Sequence, residues 1–139
     1  MKKIIIIAIL FISGNIIAQT GKIQLTITDL NPKSGDIIRV ALYSKQNFLK
    51  SELLNKTIRF NGNTAYISLT EIKFGIYAIA VYQDENLDGK MNTNFYGKPI
   101  ELSGFSNNAK ENFGPSDFKD ASFDVFESKS TKLTIHLKK

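Results

Sequence analysis

The sequence is most informative at Tyr77–Asn94, YAIAVYQDENLDGKMNTN, where an apolar run passes directly into an acidic turn. Residues 77–82 are mostly apolar on both faces, and the small Ala78 and Ala80 alternate with larger neighbours. A short apolar run that ends in turn residues is typical of a strand buried on both sides. We therefore predict that Ile76–Tyr82 is a central strand and that the turn after it closes one end of the fold.

Six further segments have the composition of strands. In most of them apolar and polar residues alternate with period two, which indicates strands with one buried face. These segments are Lys22–Thr28, Ile37–Tyr43, Thr57–Phe60, Thr64–Leu69, Ala121–Phe126 and Lys132–Leu137. Seven short strands separated by turn residues, without a long amphipathic helix, predict an all-β fold. We expect an antiparallel β-sandwich of immunoglobulin-like or transthyretin-like type.

The segments between the strands predict how the chain turns. Asn31–Asp36 and Asn61–Asn63 are rich in turn residues, so we expect each to close a β-hairpin. Ser44–Asn55 fits either one or two helical turns or an irregular connection. Gly75 and Tyr77 have the spacing of a corner between two sheets, where a tyrosine hydroxyl bonds back across the corner. Tyr77 is therefore predicted to have a structural role.

Residues 1–18 are predicted to be a signal peptide. Met1–Lys3 is basic, Ile4–Ile12 is apolar, and the small Ala18 precedes Gln19, so Ala18 or Gln19 would be the last residue removed. The apolar run is shorter than the roughly 20 residues of a membrane span, which makes a retained anchor the weaker alternative. We expect an exported protein, periplasmic, on the outer surface or secreted. Residues 19–139 would form a single domain without a stable membrane span.

Composition narrows the classes of function. The chain has no cysteine, so neither a disulfide nor a cysteine-linked lipid can form, and core packing must hold the domain. Without Lys2 and Lys3, 16 basic residues remain against 13 acidic ones, a mild excess that is spread along the chain. This distribution argues against nucleic acid as a partner.

The acidic turn has the spacing of the first half of a calcium loop. Side-chain oxygens would come from positions one, three, five and nine, a backbone carbonyl from position seven, and position six is glycine. The residues at these positions are Asp84, Asn86, Asp88, Gly89, Lys90 and Asn92. Oxygen ligands suit calcium better than zinc or copper. The candidate cofactor is therefore calcium.

The match ends at position twelve, where Phe95 replaces the usual bidentate carboxylate. The missing carboxylate would have to come from Glu85, Asp117, Asp120 or Asp124. Any binding would then be weak, with a dissociation constant of about 10⁻⁴–10⁻³ M. The alternative is an Asx-rich turn that closes the chain without a metal.

The segment from Thr93 to Asp120 is a long loop rich in aromatic and amide side chains. Long loops in compact domains are often functional. The candidate binding surface consists of Phe95, Tyr96, Phe105, Asn107 and Asn108, on which rings would stack and amides would hydrogen-bond a sugar or other small ligand. The alternative is that the rings pack onto the sandwich and anchor the loop.

Catalysis has little support in the sequence. It contains no GxSxG motif and no phosphate-binding glycine loop, and no pair of acids is singled out for glycoside hydrolysis. The one histidine, His136, is predicted to lie on the solvent face of the last strand. We therefore expect a non-enzymatic module of the cell envelope with a binding or structural role and an unidentified partner. A binder of small ligands or carbohydrates is the alternative.

The chain resembles the domain-of-unknown-function 2141 family of exported bacterial proteins. The resemblance covers essentially all of residues 19–139, and its most specific parts are Gly75–Tyr82, Asp84–Asn94, Gly104–Ala109 and Gly114–Pro115 with Phe118 and Ala121. Many members look to have Asp where Asn92 stands, which implies a weaker cation site in this chain. The family brings no established activity or catalytic residues. The resemblance therefore implies an exported sandwich and no particular chemistry.

Overall fold

The structure, a computed structural model, describes residues 19–111, 114–126 and 129–139. The predicted signal peptide, residues 1–18, lies outside these ranges. The elements in chain order are β1 (Thr20–Thr28), β2 (Ile37–Tyr43), β3 (Leu54–Arg59), β4 (Thr64–Lys73), β5 (Gly75–Gln83), β6 (Ser103–Phe105), a 3-10 turn (Ser106–Asn108), α1 (Phe118–Ala121), β7 (Phe123–Val125) and β8 (Ser130–His136).

The strands form two sheets that share one core. The first sheet has the order β4-β1-β8, and the second has the order β3-β2-β5-β6, with β7 also paired to β5. Alternate side chains of both sheets point inward and are buried against one another, as in a β-sandwich. The predicted all-β sandwich is therefore confirmed, with eight strands in the described ranges instead of seven and with one parallel pair, β1 with β8, among otherwise antiparallel pairs. The core residues contributed by these strands include Ile23, Leu25, Ile27, Ile38, Val40, Leu42, Ile67, Leu69, Ile79, Val81 and Ile135.

Strand β5 is buried on both faces, as its sequence predicts. Ile79 and Val81 point into the shared core, whereas Ala78 and Ala80 point away from it. The outer face is covered by a second apolar cluster that contains three phenylalanine rings. The rings belong to Phe48, Phe105 and Phe118, and the small alanines leave room for them. The ring centroid of Phe48 lies 6.0 Å from that of Phe105 and 5.5 Å from that of Phe118.

Both hairpin predictions are wrong. Strand β1 pairs with β4 and β8, and β2 pairs with β3 and β5, so the turn at residues 29–36 crosses between the sheets. The turn at Asn61–Asn63 also crosses, because β3 and β4 belong to different sheets. Gly62 does adopt a positive φ of 99°. Turn residues reverse the chain, but they do not select the partner of a strand that has one apolar face.

The predicted corner at Tyr77 is confirmed. The chain passes from β4 in one sheet to β5 in the other within two residues of Lys73. The Tyr77 hydroxyl donates a hydrogen bond to the Lys73 carbonyl oxygen at 2.8 Å. The ring also packs against the core. This bond ties the start of β5 to the end of β4 across the corner.

The structure selects one of the two alternatives for the connection after β2 and adds detail to the predicted long loop. Residues 44–53 contain hydrogen-bonded turns and no helix, so the irregular connection is the correct alternative there. The predicted long loop contains β6, the 3-10 turn and most of α1. Strand β6 does not show the alternation of buried and exposed residues that identifies most of the other strands, because all three of its residues are buried. None of the helices in the described ranges has the length and apolar character needed to cross a membrane.

Substituting Tyr77→Phe should lower the free energy of unfolding by about 0.5–1.5 kcal/mol, since it removes the bond to Lys73 and leaves the ring in place. Urea denaturation measures the change. The matched control is Tyr66→Phe, which alters a tyrosine that is 80% exposed on the outer face of β4. Equal losses in the two variants would contradict a structural role for the Tyr77 hydroxyl.

Candidate functional site

The candidate site is the acidic loop, residues 84–92, which follows β5 directly. Its first residue, Asp84, is fully buried, although it is a carboxylate at the end of a strand. One oxygen, Oδ2, accepts hydrogen bonds from Arg39 Nε at 2.6 Å and from the Gly89 backbone N–H at 3.1 Å. The first contact ties the loop to β2, and the second closes the loop upon its own beginning.

Arg39 supplies the charge that allows Asp84 to be buried. Its guanidinium also donates to Thr57 Oγ1 on β3 and lies against Gly89, where an added Cβ would meet Nη2 at 3.3 Å. The hydrogen bond to Asp84 raises the pKa of Arg39. Burial raises the pKa of the neighbouring Tyr82 to about 12, so its hydroxyl stays protonated at neutral pH.

Glu101 is a second buried carboxylate at the site, and it was not among the predicted candidates. It is only 3% exposed. Its two oxygens accept the backbone N–H groups of Glu85 and Asn92, each at 2.9 Å. Glu101, which follows the acidic loop in the sequence, therefore binds the backbone at both ends of that loop. In the sequence, the only sign of this role is that Glu101 is a single acidic residue between the apolar Ile100 and Leu102. No motif spacing links Glu101 to Asp84.

Asp88 organises the exposed tip of the loop. Its Oδ2 accepts the side-chain amides of Asn86 at 3.0 Å and Asn92 at 3.1 Å, and its Oδ1 accepts the Lys90 backbone N–H at 2.8 Å. The hydrogen bond from Asn92, followed by that from Lys90, holds the pKa of Asp88 below its usual value. These contacts are those of an Asx-rich turn. Three of the predicted ligand residues, Asn86, Asp88 and Asn92, are therefore in direct contact.

Two buried oxygens in the loop, Asp84 Oδ1 and Asn92 Oδ1, have no hydrogen-bond partner among the described residues. Buried oxygens without a donor are uncommon and call for a physical explanation. Glu85 Oε1 also lacks a hydrogen bond within that part of the chain, but it lies 3.2 Å from Lys139 Nζ, whose charge compensates it. No hydrogen bond or ion pair from a described residue compensates Asp84 Oδ1 or Asn92 Oδ1 in this way.

The other candidate carboxylates do not complete a metal site. Glu85 pairs with Lys139. Asp124 pairs in register with Ile76 at the opposite end of β5, on the order of 25 Å from Asp84 at about 3.3 Å per residue. Asp117 and Asp120 are exposed at α1. Across the described ranges, no three His, Cys, Asp or Glu side chains form a metal-binding group. A cation at the acidic loop would therefore need amide and backbone oxygens.

The predicted binding surface does not assemble as one surface. Phe95 and Tyr96 are 97% and 88% exposed, and their rings meet edge to face at 5.5 Å. Phe105 is buried in the outer cluster. Asn107 donates to the Ser122 carbonyl, and Asn108 accepts the His136 backbone N–H. Phe105 and the two amides thus hold the loop, and only the first two rings face solvent.

His136 lies on the exposed face of β8, as predicted. Its Nδ1 is 2.7 Å from Thr28 Oγ1 and 3.1 Å from Asp29 Oδ2. The Thr28 hydroxyl, followed by His136, holds the pKa of Asp29 below its ordinary value. These contacts join the ends of β1 and β8.

A family model described as "uncharacterized protein conserved in bacteria" (DUF2141) matches residues 25–134. The protein belongs to this family. The match spans most of both sheets and the whole acidic loop. The chain matches no curated protein and no solved structure.

Replacing Asp84 with Asn should cost about 2–3 kcal/mol of unfolding free energy, because it leaves the Arg39 guanidinium against an uncharged amide. This is less than for a fully buried pair, since the Arg39 side chain is 25% exposed. The control is Asp36→Asn, which breaks the exposed ion pair between Asp36 and Arg59 and should cost less than about 1 kcal/mol. Chemical denaturation compares the two. Similar losses would show that the buried pair does not hold the loop.

Proposed function

We propose that this protein is an exported, non-enzymatic module of the bacterial cell envelope with a binding or structural role, and that weak calcium binding stabilises its acidic loop. Export is supported by the basic, apolar and small residues of positions 1–18. A non-enzymatic role is supported by a sequence that has no cysteine and a single histidine, and that histidine is committed to Thr28 and Asp29.

The observation that carries the calcium proposal is the pair of buried oxygens, Asp84 Oδ1 and Asn92 Oδ1. They stand at positions one and nine of the spacing that predicts a calcium loop. A buried polar atom without a partner costs about 1–3 kcal/mol. A calcium ion would provide the missing partner for Asp84 Oδ1 in its present position and for Asn92 Oδ1 once that amide has turned, and the carboxylate of Asp88 would add a second negative charge.

Two features of the loop keep the proposed affinity low. The Arg39 guanidinium lies against Asp84 and repels a second cation. Both oxygens of Glu101 are used by backbone N–H groups, so that side chain contributes charge but no free ligand atom. With two carboxylates available, a dissociation constant of about 10⁻⁴–10⁻³ M fits loops of this type.

Calcium binding would require Asn92 to turn its amide. Its Nδ2 now donates to Asp88 Oδ2, while its Oδ1 is the buried atom without a donor among the described residues. A half-turn of the amide exchanges the two atoms and places Oδ1 beside the Asp88 carboxylate. Two oxygens in contact repel each other unless a cation lies between them, so this rotation is coupled to binding.

Thermal melting in chelator, in 10 mM calcium and in 10 mM magnesium tests the proposal. At the expected affinity, 10 mM calcium should add about 1.4–2.7 kcal/mol to the free energy of unfolding and raise the melting temperature by roughly 5–11 °C. Asp88→Asn should abolish the rise, while the control Asp124→Asn should retain it. A melting temperature that does not respond to calcium, or a response that survives Asp88→Asn, contradicts the proposal.

A second candidate function is the binding of a small ligand or carbohydrate, and one observation favours it. Phe95 and Tyr96 are adjacent and almost fully exposed on an ordered turn. Exposed apolar surface of this kind is unfavourable in water, and in soluble proteins it often marks a binding site. Asn94 Oδ1 accepts the backbone N–H groups of Tyr96 and Lys98, both at 3.0 Å. Rings held in this way are suited to stacking against a ligand.

A further inference from the structure

A cavity of about 580 Å³ lies between the turn at residues 94–99 and the last residues of the described chain. This volume is in the range of small-molecule sites. Its walls are largely apolar, with charged groups from three parts of the chain. The lining residues that matter here are Tyr96, Lys98, Ser103, Glu111, Lys138 and Lys139.

One wall of the cavity is part of the rigid fold. Ser103 begins β6, and its backbone exchanges two hydrogen bonds of 2.9 Å with Lys138. The Ser103 side chain is 1% exposed, and its Oγ finds no hydrogen-bond partner within the described ranges. A buried hydroxyl that lacks a partner is a group that a ligand or water can satisfy after a small shift of the wall.

The opposite wall is the turn that carries Tyr96 and Lys98. The Asn94 backbone N–H donates to the Lys98 carbonyl at 2.8 Å, and the Asn94 side chain accepts two further backbone bonds. Thr93 and Pro99 form a bridge at the base of the turn. The ring of Tyr96 and the ammonium of Lys98 are therefore carried on a hydrogen-bonded frame beside the cavity.

The charges around the cavity favour an anion. Among the described residues that line it, three are lysines and one, Glu111, is an acid. Lys139 is paired with Glu85, which leaves the ammonium groups of Lys98 and Lys138 as the principal cations for a ligand. Glu111 is half-buried, and burial raises its pKa against the attraction of Lys138. The negative charge of Glu111 repels an anionic ligand. Removing this charge should therefore strengthen binding, whereas removing the lysine charges should weaken it.

We propose that this cavity binds a small ring-bearing anion, such as an acidic monosaccharide, with the ring against Tyr96 and the carboxylate between Lys98 and Lys138. The inference names the ligand class for the second candidate function above and does not require calcium. Lysine ammonium groups hold carboxylates by charge-assisted hydrogen bonds. A ring that stacks on tyrosine supplies the apolar contact that the walls favour.

The test is a titration of the isotopically labelled protein by NMR in the presence of chelator. The probes are methyl β-D-glucuronide and methyl β-D-glucoside. They differ only at C6, which is a carboxylate in the first and a hydroxymethyl group in the second. We expect the glucuronide to bind about five- to tenfold more tightly and to shift the amide signals of Tyr96, Ser103 and Lys138. Lys98→Gln with Lys138→Gln should remove this preference. Glu111→Gln should strengthen binding of the glucuronide.

Lys45→Gln is the matched control, because it removes an exposed lysine near the other end of β2 from the acidic loop. It should leave the preference unchanged. Equal binding of the two probes would overturn the anion inference while leaving a ring-based sugar site in place. The absence of shifts with either probe, or shifts only on the outer face of the β4-β1-β8 sheet, would overturn both the inference and the second candidate function.

Discussion

The buried ion pair between Asp84 and Arg39 is the contact on which the acidic-loop end of this protein depends. Burial of a carboxylate is costly unless a charge and hydrogen bonds compensate it. Arg39 provides the charge from the adjacent strand β2, and Gly89 adds a backbone donor. With Asp84 fixed at the end of β5, the acidic loop closes against the sheet. Glu101 then binds both ends of the loop.

This arrangement explains why the long excursion after β5 is ordered at both ends. The chain leaves the sheet at Asp84 and returns at Ser103–Phe105, which pairs with β5 itself. The returning segment brings Phe105 onto the outer face of the strand, where small alanines accommodate it. The exposed ring pair and one wall of the lysine-lined cavity lie within this excursion, between two anchored points. Both proposed sites thus depend on the same framework, although the ligand that we propose is a cation at one and an anion at the other.

The sequence predicts those features that depend on local pattern. Alternating residues such as Ile23, Leu25 and Ile27 identify the strands, and the spacing before Tyr77 identifies the corner. Strand partners could not be predicted, because an apolar face fits either sheet and the parallel contact of β1 with β8 joins distant segments. Glu101 was missed for the same reason: its two bonds to the loop arise from the return of the chain and not from any spacing.

Native-state hydrogen exchange at the Glu85, Gly89 and Asn92 amides measures directly whether the buried carboxylates hold the acidic loop. These three N–H groups are the donors to the buried carboxylates of Asp84 and Glu101. We predict that all three exchange at least about a hundredfold more slowly than unstructured amides, even in chelator. Exchange of all three at unstructured rates, while the amides of β5 remain protected, would contradict the claim that buried carboxylates hold the acidic loop.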